Sequence, residues 1–166
     1  NTTRTEQLLR AIELIPEPRT EKEYGIIGES FFYLGAKYRL KSLEAYLVKR
    51  KKFGLTGMEI LYFAQLLERE YFFEEAKKEY LEMIKGNPMF AGYYSFVATI
   101  LRKQNKLDEA LEFLNYAKET KYYKPYKSEY SPSRYNDDFK VVIDSSFEEI
   151  TEKKKNGYVY KPRKSK

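Results

Sequence analysis

Two stretches of this chain, FFEEAKKEYLEMI around Ala76 and KLDEALEFLNYA around Ala110, carry one pattern of charged, small and large residues thirty-four positions apart. A fixed period of that length constrains a fold strongly, because each unit must bury its apolar face against the next copy. The same step brings Ser42 into register with Ala76 and Ala110, and Tyr46 with Tyr80 and Leu114. Ser30, Ala64 and Ala98 form a second small-residue column. Ile26, Ile60 and Tyr94 form a large column, as do Tyr33, Leu67 and Leu101. Small columns let paired helices approach closely, and large columns fill the space between them. Gly54 and Pro88 share a position where either residue ends a helix.

Within each unit the apolar spacing is helical, in two segments with a short polar break between them. Residues 22–35 and 38–52 are expected to form the first pair, 57–70 and 74–86 the second, and 91–104 and 107–121 the third. Residues 4–15 read as one further amphipathic helix, with Leu8, Leu9, Ile12 and Ile15 on one side and Pro16 and Pro18 stopping it. It suits either a cap or the second half of a preceding repeat. The stretch KYYKPYKSEYSPSRY, 121–135, sets Tyr122, Tyr123, Tyr126, Tyr130 and Tyr135 among cations, and Pro125 and Pro132 break any helix there. A closing helix is expected over 134–154, capped by Ser133, with Phe139, Val142, Ile143, Phe147 and Ile150 at helical steps. The expected organisation is a terminal helix in 1–20, repeats in 21–124, a Tyr-rich loop and capping helix in 125–154, and a basic, disordered tail in 155–166.

This order of residues resembles the tetratricopeptide repeat family. The middle unit supplies Ile60, Phe63, Ala64, Leu67, Ala76, Tyr80 and Pro88, and the next supplies Tyr94, Val97, Ala98, Leu101, Ala110, Leu114 and Ala117. The first unit matches at Ile26, Ser30, Tyr33, Ser42, Tyr46 and Gly54, with Glu29 and Lys49 where apolar or small residues are usual. The resemblance implies an all-α, right-handed helix-turn-helix solenoid with flanking N- and C-terminal helices. It also implies a concave groove, lined by first helices, that takes extended or helical segments of partner proteins. Carried over by column, the groove residues are Tyr24, Ile27, Phe31 and Leu34, then Met58, Leu61, Gln65 and Glu68, then Ser95, Thr99, Arg102 and Lys103. The Lys, Asn and Arg set with which some family members clamp a terminal carboxylate is absent. Ile27, Phe31, Leu61, Gln65, Ser95 and Thr99 stand there instead.

Charge and composition narrow the function further. The net charge is +6, and residues 151–166 hold seven cations against one acid, Glu152, so the body of the chain sums to neutral. The chain has no Cys and no His, which removes thiolate nucleophiles, imidazole bases and Cys- or His-ligated metals. The acidic pairs Glu74–Glu75, Asp108–Glu109 and Asp137–Asp138 fall at expected helix starts, where they complement the helix dipole. Gly25 and Gly28 lie inside a helix and lack a phosphate-loop context. No enzyme, cofactor or metal site is expected. The expected function is a protein–protein interaction adaptor or assembly scaffold. One alternative is binding of RNA or an anionic surface through the Tyr-rich segment and Lys153–Lys155. Another is a structural subunit that polymerises by stacking repeats. No stretch reaches the roughly 20 apolar residues of a membrane span. A soluble cytoplasmic or periplasmic protein is therefore expected. The Lys, Tyr, Phe and Ile bias fits an AT-rich, bacterial genome, and a first residue other than Met fits a processed or excised piece.

Overall fold

In a computed structural model of the chain, residues 3–120 and 134–162 are described, with side chains of the last helix described from Lys140 onward. Eight α-helices occur among the described residues, and no strand. They are α1 Arg4–Leu14, α2 Glu21–Leu34, α3 Arg39–Lys52, α4 Met58–Arg69, α5 Phe73–Gly86, α6 Ala91–Lys103, α7 Leu107–Glu119 and α8 Arg134–Lys155. A 3-10 turn, Ala36–Tyr38, leads into α3. The bounds lie close to those expected from apolar spacing. Ser133 and the Tyr-rich stretch through residue 133 lie outside the described residues, as do the side chains of Tyr135 and Phe139.

Local chemistry sets the ends. Thr3 and Thr20 each accept a hydrogen bond from the backbone N–H three residues on, while Glu6 and Glu23 reach back to the capping residues' own N–H groups. Two orphan donors are satisfied reciprocally at each start. α3 ends where Gly54 adopts φ 89° and donates its N–H to the Lys49 carbonyl at 3.0 Å, a left-handed turn that glycine makes without steric cost. α4 and α6 end in a common way. Tyr71 (φ 65°) and Asn105 (φ 61°) are left-handed, and they stand thirty-four positions apart. At each, the following N–H returns to the helix over 2.8 Å, Phe72 to Leu67 and Lys106 to Leu101.

The chain divides into two compact units, residues 1–76 and 77–166. In the first, α1 packs on α2, α2 pairs with α3, and α4 lies against both α2 and α3. Its core holds Leu43, Tyr46, Phe63, Ala64, Leu66 and Ala76. In the second, α6 pairs with α7, and α8 lies against both. Its core holds Tyr80, Val97, Ile100, Leu101, Leu114, Ile143 and Ile150. The column of Tyr46, Tyr80 and Leu114 is fully buried, and so is that of Ser42, Ala76 and Ala110. Tyr33 departs from its column. It is exposed, its hydroxyl meets that of Tyr62 at 2.6 Å, and the Arg4 guanidinium lies 4.4 Å above its ring.

Candidate functional site

α2 turns Tyr24, Ile27 and Phe31 onto one side at helical steps, and α3 does the same with Lys41, Ala45 and Val48. With Pro16, Glu17, Pro18 and Glu44 these side chains line an open cleft of about 460 Å³ in the first unit. The prolines that stop α1 also stiffen the chain where it bends beside the cleft, since proline locks its own φ. Phe31 stacks on Tyr38 with centroids 5.7 Å apart, and Tyr24 leans on Phe53 at 6.3 Å. Ile27 forms the buried floor at 6% exposure, while Tyr24 and Phe31 are half-buried.

The remaining residues expected to face a groove are placed differently. Leu34, Leu61, Gln65 and Glu68 are half-buried, and Met58 is exposed. In the second unit Ser95, Thr99 and Arg102 line a small cleft closed by Ser146, Glu149 and Ile150 of α8. Arg102 pairs with Glu149 at 3.5 Å, and the Thr99 hydroxyl donates to the Ser95 carbonyl at 3.0 Å. Ser95 is buried and Lys103 half-buried. These α6 side chains are therefore occupied largely by α8. Tyr24, Ile27 and Phe31 are the three that the structure brings together around an open cavity.

A second cleft in the first unit is lined by Thr20, Glu21, Gly25, Glu29, Lys49 and Glu59, among others. Lys49, with 3% of its side chain exposed, donates to Glu59 at 2.9 Å, to the Gly54 carbonyl at 3.3 Å and to Glu21 at 3.5 Å. A buried ammonium costs stability unless such oxygens surround it. Here the charge links α2, α3 and α4. Its three donors are engaged, which suits a structural tie rather than a reacting amine.

Beside this, Phe32, Tyr33 and Tyr62 form an aromatic cluster, with Phe32 and Tyr62 centroids 4.4 Å apart and Arg69 5.5 Å from the Phe32 ring. The hydrogen bond to Tyr33, followed by desolvation, pushes the Tyr62 hydroxyl up to about 12. Among the described residues, no group of three acidic side chains could hold a metal ion. No described helix is long and apolar enough to cross a membrane.

The basic C-terminal stretch makes contacts as far as Tyr160. Lys153 pairs with Glu149 and stands 4.7 Å from the Tyr158 ring, and Lys154 pairs with Asp108. Gly157, at φ 66°, closes α8, and the Tyr160 N–H then donates to the Asn105 side-chain oxygen at 2.5 Å. The Asn105 amide approaches the Tyr160 carbonyl at 3.5 Å. Residues 163–166 lie outside the described residues.

The cleft-lining residues absent from the sequence-based set are Pro16, Glu17, Pro18, Lys41, Glu44, Ala45 and Val48. The 4–3–4 spacing of Lys41, Ala45, Val48 and Lys52 marks one face of α3 and was the available signal. No protein-family model matches this sequence, and no curated protein matches it.

Proposed function

We propose that this chain is a non-catalytic adaptor or scaffold module that binds a segment of a partner protein. The observation that carries the reading is the open cleft between α2, α3 and Pro16–Pro18, into which Tyr24 and Phe31 remain half-exposed above an apolar floor. Aromatic side chains in a concave, partly apolar site are favoured anchors for partner segments, because each buries a large area at little entropic cost. A tetratricopeptide-like, right-handed solenoid is the architecture in which we set this module. It draws support from the fully buried small and large columns at the thirty-four-residue step. The matching left-handed turns at Tyr71 and Asn105 support it further. Among the groove residues, Tyr24, Ile27 and Phe31 are assigned the binding role.

The test is Phe31→Glu. A carboxylate in the cleft is expected to abolish capture of the partner from native extract, read by affinity capture and mass spectrometry against the unaltered chain. Far-UV circular dichroism and thermal midpoint should change little, because Phe31 is half-buried and its loss opens toward solvent. Capture that survives the substitution removes the cleft from the binding site.

A further inference from the structure

The neutral sum over the body of the chain conceals a strongly basic element. From Lys37 to Lys52 the sequence holds seven cations and one acid, Glu44. Some of that charge is committed within the fold. Arg39 pairs with Glu70 at 2.8 Å, Lys49 is enclosed by Glu59 and Glu21, and Arg50 stands 5.2 Å from the Phe63 ring. Lys37, Lys41, Lys51 and Lys52 are exposed and make no ion pair among the described residues.

Three of those four border the aromatic side chains at the cleft. Lys41 lies 5.6 Å from the Phe31 centroid and 6.0 Å from that of Tyr38, which Lys37 approaches to 5.6 Å. Lys52 lies 5.6 Å from the Tyr24 centroid. An exposed ammonium over a ring is held only weakly, so it stays free to meet a carboxylate. The acids of the same cleft are Glu17 and Glu44, and Glu17 faces Arg19 at 3.8 Å. Lys41 is the cation that lines the cleft itself, and Lys37 and Lys52, beside the Tyr38 and Tyr24 rings, bring the cations around the apolar floor of Ile27, Ala45 and Val48 to three, against Glu17 and Glu44.

We infer that the cleft takes an acidic protein segment, whose apolar side chain enters beside Tyr24 and Phe31 while its carboxylates meet Lys41 and Lys52. This rests on the cleft being a docking site and adds the charge of what docks. Charge complementarity of this kind selects partners and speeds encounter more than it adds raw affinity. A single-stranded nucleic acid would seek the same cations, yet it needs open ring faces on which successive bases stack. Here Phe31 already stacks on Tyr38 and Tyr24 leans on Phe53, and the rest of the lining is largely aliphatic or proline. The cavity suits one inserted side chain better than a row of bases.

The experiment selects short random peptides from a display library on the whole chain. Binding is then measured by fluorescence anisotropy for the selected peptide, for its Asp→Asn/Glu→Gln counterpart and for a thymidine oligonucleotide. Selected peptides are expected to carry Asp or Glu around one large apolar residue. They should bind about tenfold more tightly than the neutral counterpart at low salt, an advantage that shrinks as ionic strength rises. The exposed double variant Lys41→Glu/Lys52→Glu should erase that advantage. The uncharged variant Phe31→Gln should weaken both peptides. Peptides that share an apolar anchor without acidic enrichment, and that Phe31→Gln weakens, overturn the charge inference and leave the docking reading intact. Peptides indifferent to Phe31→Gln, or no enrichment at all, overturn both. Tighter binding of the oligonucleotide overturns the choice of a protein partner.

Discussion

A Cβ added at Gly28 would fall 2.7 Å from Cε1 of the Tyr46 ring and 2.8 Å from its Cζ. Glycine in a helix interior costs about 1 kcal/mol against alanine, so this position is kept for close approach and not for helix formation. The Tyr46 ring is fully buried and cannot yield, so overpacking should outweigh the propensity gain. Gly28→Ala is expected to lower the unfolding free energy by about 1–2 kcal/mol, measured by urea titration. The Tyr46 hydroxyl is buried without a hydrogen-bond partner among the described residues. Tyr46→Phe should therefore match or exceed the parent by up to about 2 kcal/mol, and a clear loss would reveal a partner for that hydroxyl. In the sequence, Gly25 and Gly28 are interior helix glycines of no stated use. Their use depends on the neighbouring helices. Gly28 receives the Tyr46 ring, and a Cβ at Gly25 would approach Glu59 Oε2 to 3.1 Å.

Helix ends and buried columns were legible because they depend on residues near in sequence: Thr20 with Glu23, Gly54 after Lys52, and Ala76 with Ala110. The open face of α2 was less so. Column carry-over treats Ile27, Phe31, Ser95 and Thr99 alike, but α8 lies over the α6 pair and the Pro16–Pro18 bend stands beside the α2 pair. Which element covers a helix face is a tertiary fact. The link from α8 back to the α6–α7 turn was equally hidden, since Asn105 and Tyr160 are far apart in sequence. Asn105 serves two purposes there, tolerating a left-handed backbone and presenting its amide to Tyr160. Asn105→Gly keeps the first and deletes the second. Hydrogen exchange of the Tyr160 amide should then accelerate about fivefold, matching roughly 1 kcal/mol for one lost hydrogen bond, while the α6–α7 turn keeps its protection. Unchanged exchange at Tyr160 would show that this bond does not hold the segment.

For the molecule as a whole, the missing histidine shapes stability against pH. No side chain in the sequence has an ordinary pKa between about 5 and 8, so stability should be flat across that range. On the acid side, Glu23, Glu82 and Glu149 are held below the usual carboxylate range, by backbone hydrogen bonds from Arg19 and Thr20, by Lys85 and by Lys153 respectively. Groups lowered in the folded state add stability above their unfolded pKa and lose it as pH falls through the folded one. The acid limb should begin below about pH 4.5 and be shallow, because these carboxylates are largely exposed. On the alkaline side, burial pushes the Tyr46 hydroxyl up, and the bond to Tyr33 raises Tyr62 to about 12. Groups raised in this way contribute fully below their unfolded pKa, near 10, and lose that contribution as pH climbs toward the folded value. Urea midpoints measured across pH should show a plateau with losses at both ends, and Tyr46→Phe should soften the alkaline loss. An inflection near neutrality would contradict this assignment. The same scale explains how the basic element was missed, since summing charge over the body lets distant carboxylates cancel a local excess at Lys37–Lys52.

Lys49 lies in sequence beside Lys51 and Lys52, whose amines are exposed, yet its own is walled in by three oxygens. To an amine-acylating reagent these neighbours are chemically alike and differ only in access. Lysine footprinting by mass spectrometry should modify Lys51 and Lys52 at once and Lys49 only when α2, α3 and α4 part. The ratio of the two rates reports how often that junction opens, with the chain's own side chain as the probe.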